Sequence, residues 1–266
     1  MNGMRYGFAA WCRGSLLAVV CLGGCAMAED GPRRDHGSDW QGSLGGGALV
    51  LPDYSGSDSY RALPVPFFDL RYGDLLFLNP FRGLGWNAVR TEAFTAGPVV
   101  SYVGGRRGRG ALSDLRSVRG GAAGGVFVSW TWQSLALEGE ALTPWTGDLR
   151  GARVTLGMRY TAAVSRRLIV GVGPDLVWIT AGWANALYGL SDEDAVLAGL
   201  QPHRAGTGLS EFRATGRLMY LFAPRWSATV IASVGRLTDD AAASPIVRDA
   251  GSRTQYFGAT AVAYSF

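Results

Sequence analysis

Residues 152–162, ARVTLGMRYTA, place Ala152, Val154, Leu156, Met158 and Tyr160 on one side and Arg153, Thr155, Gly157, Arg159 and Thr161 on the other. A period of two marks a strand with one apolar and one polar face. The pattern recurs in 211–220, and again in 226–234, where Trp226, Ala228, Val230, Ala232 and Val234 oppose Ser227, Thr229 and Ser233. Twelve such segments follow one another, near 41–50, 64–73, 74–79, 83–90, 94–104, 118–130, 134–142, 152–163, 168–180, 209–220, 225–237 and 255–266. No helical pattern competes over a comparable length. A sheet this large must close, because an open one exposes long unpaired edges. The sequence predicts an all-β chain: an antiparallel up-and-down β-barrel of about 12 strands (10–14), with the pair in 74–90 the least defined.

The apolar face needs a solvent. Charged residues are 17% of the chain, aromatics 11%, and mean hydropathy is +0.10. No segment of the expected mature chain has the 18 or so uninterrupted apolar residues of a membrane helix. Intermediate hydropathy without such a segment is what a transmembrane barrel gives, since alternate residues face lipid. The expectation is a barrel in the outer membrane of a Gram-negative bacterium.

Connection lengths test this independently. With both termini in the periplasm, odd strands run outward and carry the long loops. The long connections, 51–63, 105–117, 143–151, 181–208 and 238–254, follow strands 1, 5, 7, 9 and 11, while the even strands end in short turns. The last strand, QYFGATAVAYSF, puts Tyr256, Gly258, Thr260, Val262, Tyr264 and Phe266 on one face. Tyr264 and the terminal Phe266 resemble the signal read by the bacterial barrel-assembly machinery. In the first outward loop, LPDYSGSDSY, Pro52 ends the pairing, and Tyr54 and Tyr60 are read as interfacial aromatics.

Residues 1–28 read as a secretory signal: Arg5 and Arg13, an apolar core at 15–24, and an A-x-A site ending at Ala28. A competing reading of Leu22-Gly23-Gly24-Cys25 is a lipoprotein box with lipidation at Cys25. Residues 29–39 form a short polar periplasmic lead, and 40–266 the barrel. Cys12, Cys21 and Cys25 all precede the cut, so the mature chain has no disulfide, thiol nucleophile or thiolate metal site. Every basic residue is Arg. Two arginines and no acid lie in 1–28, which takes the net charge from +4 to +2. The remaining basic residues are interleaved with acids, so no nucleic-acid partner is expected.

Motifs for chemistry are sparse, and no catalytic, cofactor or metal site is expected. His203 lies in the loop 181–208 near Asp192, Glu193 and Asp194, too few convergent ligands for a metal site. Ser210 is close to His203 in sequence, but no nucleophile elbow surrounds any Ser. The glycine runs at 42–47 and 120–125 neither open a helix nor precede Lys-Ser or Lys-Thr, so strand bends explain them. The cluster Arg106, Arg107, Arg109, Arg116 and Arg119 lies in an outward loop, where guanidinium forks match the phosphates of outer-membrane lipid and lipopolysaccharide. A solvated loop is the other reading.

The alternation directs Asp69, Arg71, Glu138, Glu140, Arg153, Arg159, Asp175, Glu211, Arg213 and Arg217 into the lumen. Five acids against five arginines suggest ion pairs that fill a narrow barrel instead of a one-sign channel.

An ordered series of short motifs runs along the chain: Tyr54-Ser55-Gly56-Ser57 after a Pro, Leu63-Pro64-Val65-Pro66, Arg71-Tyr72-Gly73-Asp74 and Arg82-Gly83-Leu84-Gly85. Tyr188-Gly189-Leu190-Ser191, Asp240 with Ala242, Ser244-Pro245-Ile246-Val247 and the terminal Tyr264-Ser265-Phe266 complete it. From about residue 40 to the end, the chain resembles the MltA-interacting protein (MipA/OmpV) family of outer-membrane barrels. Leu187 departs from the aromatic expected before Tyr188. The resemblance implies a non-enzymatic scaffold for murein enzymes, with a lytic transglycosylase and a peptidoglycan synthase as partners. Other members are described as porin-like or adhesin-like. A small-solute channel or surface adhesin is therefore the alternative, and a lipid-modifying barrel enzyme a further one.

Overall fold

In the computed structural model, residues 40–108, 112, 113 and 115–266 are described. The expected signal peptide with its Ala28 site, the expected lead at 29–39 and Arg109 lie outside them. The strands are β1 Trp40–Pro52, β2 Tyr60–Tyr72, β3 Leu76–Asn79, β4 Gly83–Trp86, β5 Val89–Arg90, β6 Phe94–Val103, β7 Gly121–Trp132 and β8 Leu135–Pro144. They continue with β9 Arg153–Ala163, β10 Leu168–Ile179, β11 Gly208–Ala223, β12 Trp226–Leu237 and β13 Thr254–Ser265. All pairings are antiparallel between chain neighbours, β13 pairs with β1, and β4 and β5 share one position against β6. The result is a closed barrel of twelve staves, and the expected hairpin within 74–90 is present as β3 with β4–β5.

The faces are set by period two. In register, Trp40 lies beside Tyr72 and Trp226 beside Tyr264, ring centroids 5.2 and 5.3 Å apart, on the outer surface at the periplasmic end. Tyr60 and Tyr256, 6.4 Å apart, mark the opposite end. Leu156, Val172, Val230 and Val262 between these belts are exposed on the barrel, as lipid-facing residues must be.

The outward connections fold over the mouth. Their four short helices are α1 Ala181–Tyr188, α2 Asp192–Ala198, α3 Asp239–Ala243 and α4 Pro245–Arg248. None is long enough for a helical period to stand out in the sequence. Ser191 caps α2 by accepting from the Asp194 N–H, and Gly199 ends it in the left-handed region.

One outward connection is short. Between β3 and β4, Asn79 turns the chain by accepting from the N–H groups of Phe81 and Arg82 at 3.1 and 2.8 Å. Pro80 withholds a donor, and Gly83 adopts φ +84° where a Cβ would strike the Val100 carbonyl. Both strands of this hairpin are only four residues long.

That short hairpin leaves a gap in the wall. β2 pairs with β1 along all thirteen residues but with β3 only at Leu70, Arg71 and Tyr72. The even residues of β2 direct their backbone polar groups toward β3, as Tyr72 does in accepting from the Leu75 N–H. Pro64 and Pro66 are even, so two of the donors that would face the gap are missing. Proline fits an unpaired edge for this reason.

Candidate functional site

The lumen and its outer cap carry the polar chemistry. All ten charged residues read as lumenal belong to the inward-facing register of their strands. Asp69 stands opposite Ser43, Arg71 opposite Gln41, Asp175 opposite Arg213, and Arg217 opposite Ile231. Ion pairs join residues of β8 to β11. Arg159 donates from Nη2 to Asp175 Oδ1 at 2.5 Å and leans toward Glu138 at 3.9 Å, linking β8, β9 and β10. Arg153 lies 3.6 Å from Glu140. Arg213 forks onto Glu211 with bonds of 3.0 and 2.9 Å.

Sequence alternation misses Arg82, because it sits in a turn and not in a strand. The hairpin tip folds into the lumen, and the Arg82 guanidinium lies over the rings of Phe77 and Phe127 at 4.4 and 5.1 Å. Arg82 thus adds a cation to the five acids and five arginines that the strand alternation directs into the lumen.

The cap has an apolar core of its own. Leu112, Leu149 and Ile246 are fully buried, and Tyr54, Leu115, Leu190, Trp183 and Val247 pack with them in two adjoining clusters. Tyr54 corrects the sequence expectation: it is 4% exposed and donates to the Ala250 carbonyl at 3.0 Å. The first loop turns inward over the mouth, so this ring meets other loops and not lipid. A Ser/Asp/Gly-rich loop gives no alternation from which that turn could be read. Tyr60, at the start of β2, is 38% exposed on the outward face.

Polar bonds tie the loops together. The Tyr188 hydroxyl meets Ser55 Oγ at 2.7 Å, and Ser244 Oγ donates to the Tyr188 carbonyl at 2.7 Å. Gln255, at the head of β13, accepts from the Gly56 N–H and donates to the Ser57 and Ser252 carbonyls. Gly56 has φ +100° and a Cβ there would press on Val247, so this turn requires glycine. The 54–57, 188–191 and 244–247 motifs of the sequence, far apart in the chain, therefore converge on one junction.

The arginines of the β6–β7 loop do not form a single exposed patch. Arg106 is 5% exposed and donates to the Leu187 carbonyl at 3.4 Å, and burial lowers its pKa. Arg119 forks onto Asp148 at the surface, with bonds of 3.3 and 3.1 Å. The hydrogen bonds from Arg119 hold the Asp148 carboxyl below its ordinary pKa. Arg107 lines the cavity beneath the cap, while Arg116 lines a separate outer cleft with Asp148 and His203.

His203 is a loop stitch. Its backbone pairs with Leu190, and its Nε2 lies 3.0 Å from the Asp240 carbonyl. Ser210 donates instead to the Val177 carbonyl at 3.0 Å, so the two do not form a nucleophile–base pair. Among the described residues, no cluster of three His, Cys, Asp or Glu could hold a metal. At the C-terminus, the Tyr264 hydroxyl accepts from Arg225 at 2.9 Å. The Phe266 N–H donates to Gly42, closing the last strand onto the first.

No curated protein matches the sequence. Among solved structures, the KdgM porin is 10% identical at a TM-score of 0.41, over 84% of this chain and 99% of its own. A bacterial polysaccharide outer-membrane secretin is 10% identical at 0.45, over 85% and 98%. OprD from Pseudomonas aeruginosa is 9% identical at 0.37, over 85% and 65%. The model of the family described as "MltA-interacting protein MipA" matches residues 44–266. This chain is an outer-membrane β-barrel that belongs to the MipA family.

Proposed function

We propose that this barrel is a non-enzymatic scaffold of the Gram-negative outer membrane, which docks peptidoglycan-remodelling enzymes on its periplasmic rim. The partner class follows the family description, in which MipA is an MltA-interacting protein. A lytic transglycosylase and a peptidoglycan synthase are the expected pair. Lipid and lipopolysaccharide surround the barrel, and the assembly machinery that inserts it reads Tyr264 and Phe266.

The observation that carries this reading is closure. An apolar-cored cap covers the mouth, and ion pairs line the lumen wall from β8 to β11, so function falls to the surfaces. The periplasmic rim carries a basic side suited to an oriented partner. Exposed Arg166, Arg167 and Arg225 lie in turns on one side of the ring, while on the opposite side Asp74 pairs with Arg90 at 2.6 Å and Glu92 is exposed. Affinity capture from crosslinked cells tests the scaffold: recovery of a transglycosylase and a synthase supports it, and recovery of no murein enzyme removes it. A charge-reversed rim, with Arg166, Arg167 and Arg225 changed to Glu, is expected to lose the capture while still inserting.

A small-solute channel is the second reading. One observation favours it, a cavity of about 840 Å³ beneath the cap.

A further inference from the structure

The gap in the wall and the cavity beneath the cap form one feature. The cavity of about 840 Å³ is lined from both rims of the gap, by Leu51 and Arg61 on the β1–β2 side and by Tyr102 and Gly104 on the β6 side. The gap lies at lipid depth. On β2 it falls between Tyr60, at the outer aromatic belt, and Tyr72, at the inner one. Whatever enters the cavity sideways must come from the outer leaflet.

The lining has two chemistries. Toward the cap it is charged: Arg61, Arg107, Arg119, Arg153 and Arg213 line it with Asp53 and Glu211, and of these arginines Arg119 forks onto Asp148 and Arg213 onto Glu211. Arg61 approaches Asp53 only at 3.8 Å, beyond hydrogen-bond length. The Nε groups of Arg61 and Arg153 are buried and have no hydrogen-bond acceptor among the described residues. Buried donors of this kind call for an acceptor. Deeper in, a second cavity of about 180 Å³ is apolar, walled by Leu49, Val65, Phe67, Phe81, Ile231 and Phe257. Phe257 lines both cavities, and Phe81 reaches it edge-on at 6.4 Å from the hairpin tip beside the gap.

We propose that this paired cavity holds a single-chain anionic amphiphile of the fatty-acid class, taken up from the outer leaflet through the gap between β2 and β6. The carboxylate accepts from Arg61 on the β2 rim of the gap, since a guanidinium fork donates to a carboxylate. The chain runs past Phe81 into the apolar cavity, whose walls replace the acyl environment of the bilayer. Both prolines fit this route, since they keep strand donors off the rim that the amphiphile crosses. The site is independent of the scaffold reading, because it lies in the wall and cap and not at the periplasmic rim.

The test uses the full mature chain in lipid nanodiscs, with doxyl-labelled stearic acid and its methyl ester as spin probes. The acid is expected to show a saturable immobilised component in the paramagnetic resonance spectrum, with the ester roughly tenfold weaker, the size of one lost charge-assisted hydrogen bond. Arg61→Gln is expected to bring acid and ester together, and Val65→Trp, which fills the apolar cavity, to remove the immobilised component for both. Heat-modifiable migration on gels identifies folded barrels, and only these are scored. The unmodified chain alone decides the proposal if a variant fails to fold. No saturable component, equal binding of acid and ester by the unmodified chain, or undiminished binding by folded Val65→Trp overturns it.

Discussion

Ser55 and Tyr188, 133 residues apart in the chain, meet through a 2.7 Å hydroxyl–hydroxyl bond beneath the cap. Tyr188 is 3% exposed, and burial raises its pKa above the ordinary tyrosine value of 10.0; burial raises that of Tyr54 too. The closed cap therefore keeps protons that an open cap loses. Its stability is complete below the ordinary tyrosine range and falls as pH rises through that range toward the higher folded-state values. Tyrosinate absorbance of the solubilised barrel should show a late-titrating fraction that disappears in the Tyr54→Phe/Tyr188→Phe double variant. Titration of every tyrosine in the ordinary range would count against a buried junction.

The Arg159–Asp175 pair predicts a different kind of failure. The Asp175 side chain is only 6% exposed, so Asp175→Ala leaves a lumenal guanidinium with the Met158 and Pro174 carbonyls and, as its nearest carboxylate, Glu138 at 3.9 Å. Breaking a buried pair from one side costs about 3–5 kcal/mol. Urea unfolding in detergent micelles should show that loss. The Arg159→Met/Asp175→Ala double variant should recover part of it, because the guanidinium leaves with its carboxylate while Glu138 loses its Arg159 contact. A double variant as weak as the single one argues against the pair.

Pro64 and Pro66 guard an exposed edge. Restoring donors with Pro64→Val/Pro66→Val makes the β2 edge competent to pair with another strand. Crosslinking in membranes is expected to give a larger dimer fraction for this variant than for the unmodified chain. An unchanged fraction would mean that the edge is covered by something other than proline.

Ile246 is fully buried in the cap. Ile246→Ala should destabilise the cap by about 2–5 kcal/mol through lost burial and the cavity left behind. Trypsin should then cut the loops at Arg204 and Arg248 faster, while heat-modifiable migration of the barrel stays unchanged. Loss of both together would show that cap and barrel unfold as one unit.

Much of the barrel was legible because lipid and lumen impose a strict period of two. That rule places Glu211, Arg213 and Arg217 inside, and Tyr256, Val262 and Phe266 outside, with no three-dimensional information. Legibility ends where the period ends. Tyr54 and Arg106 sit in loops whose burial depends on contacts with α1 and α4, distant in sequence. Arg82 faces inward because Asn79 and Gly83 end a hairpin early, a local turn that no strand pattern reports. The gap did leave a signal, since two prolines within one strand point to an unpaired edge. Read that way, Leu63-Pro64-Val65-Pro66 would have located the opening.

The scaffold reading holds the barrel closed to bulk flow by the cap over its mouth. Single-channel recording of the purified mature chain in planar bilayers tests it most directly. No steady ionic conductance above the bare bilayer is expected. Large, steady conductance steps from the unmodified chain would contradict it.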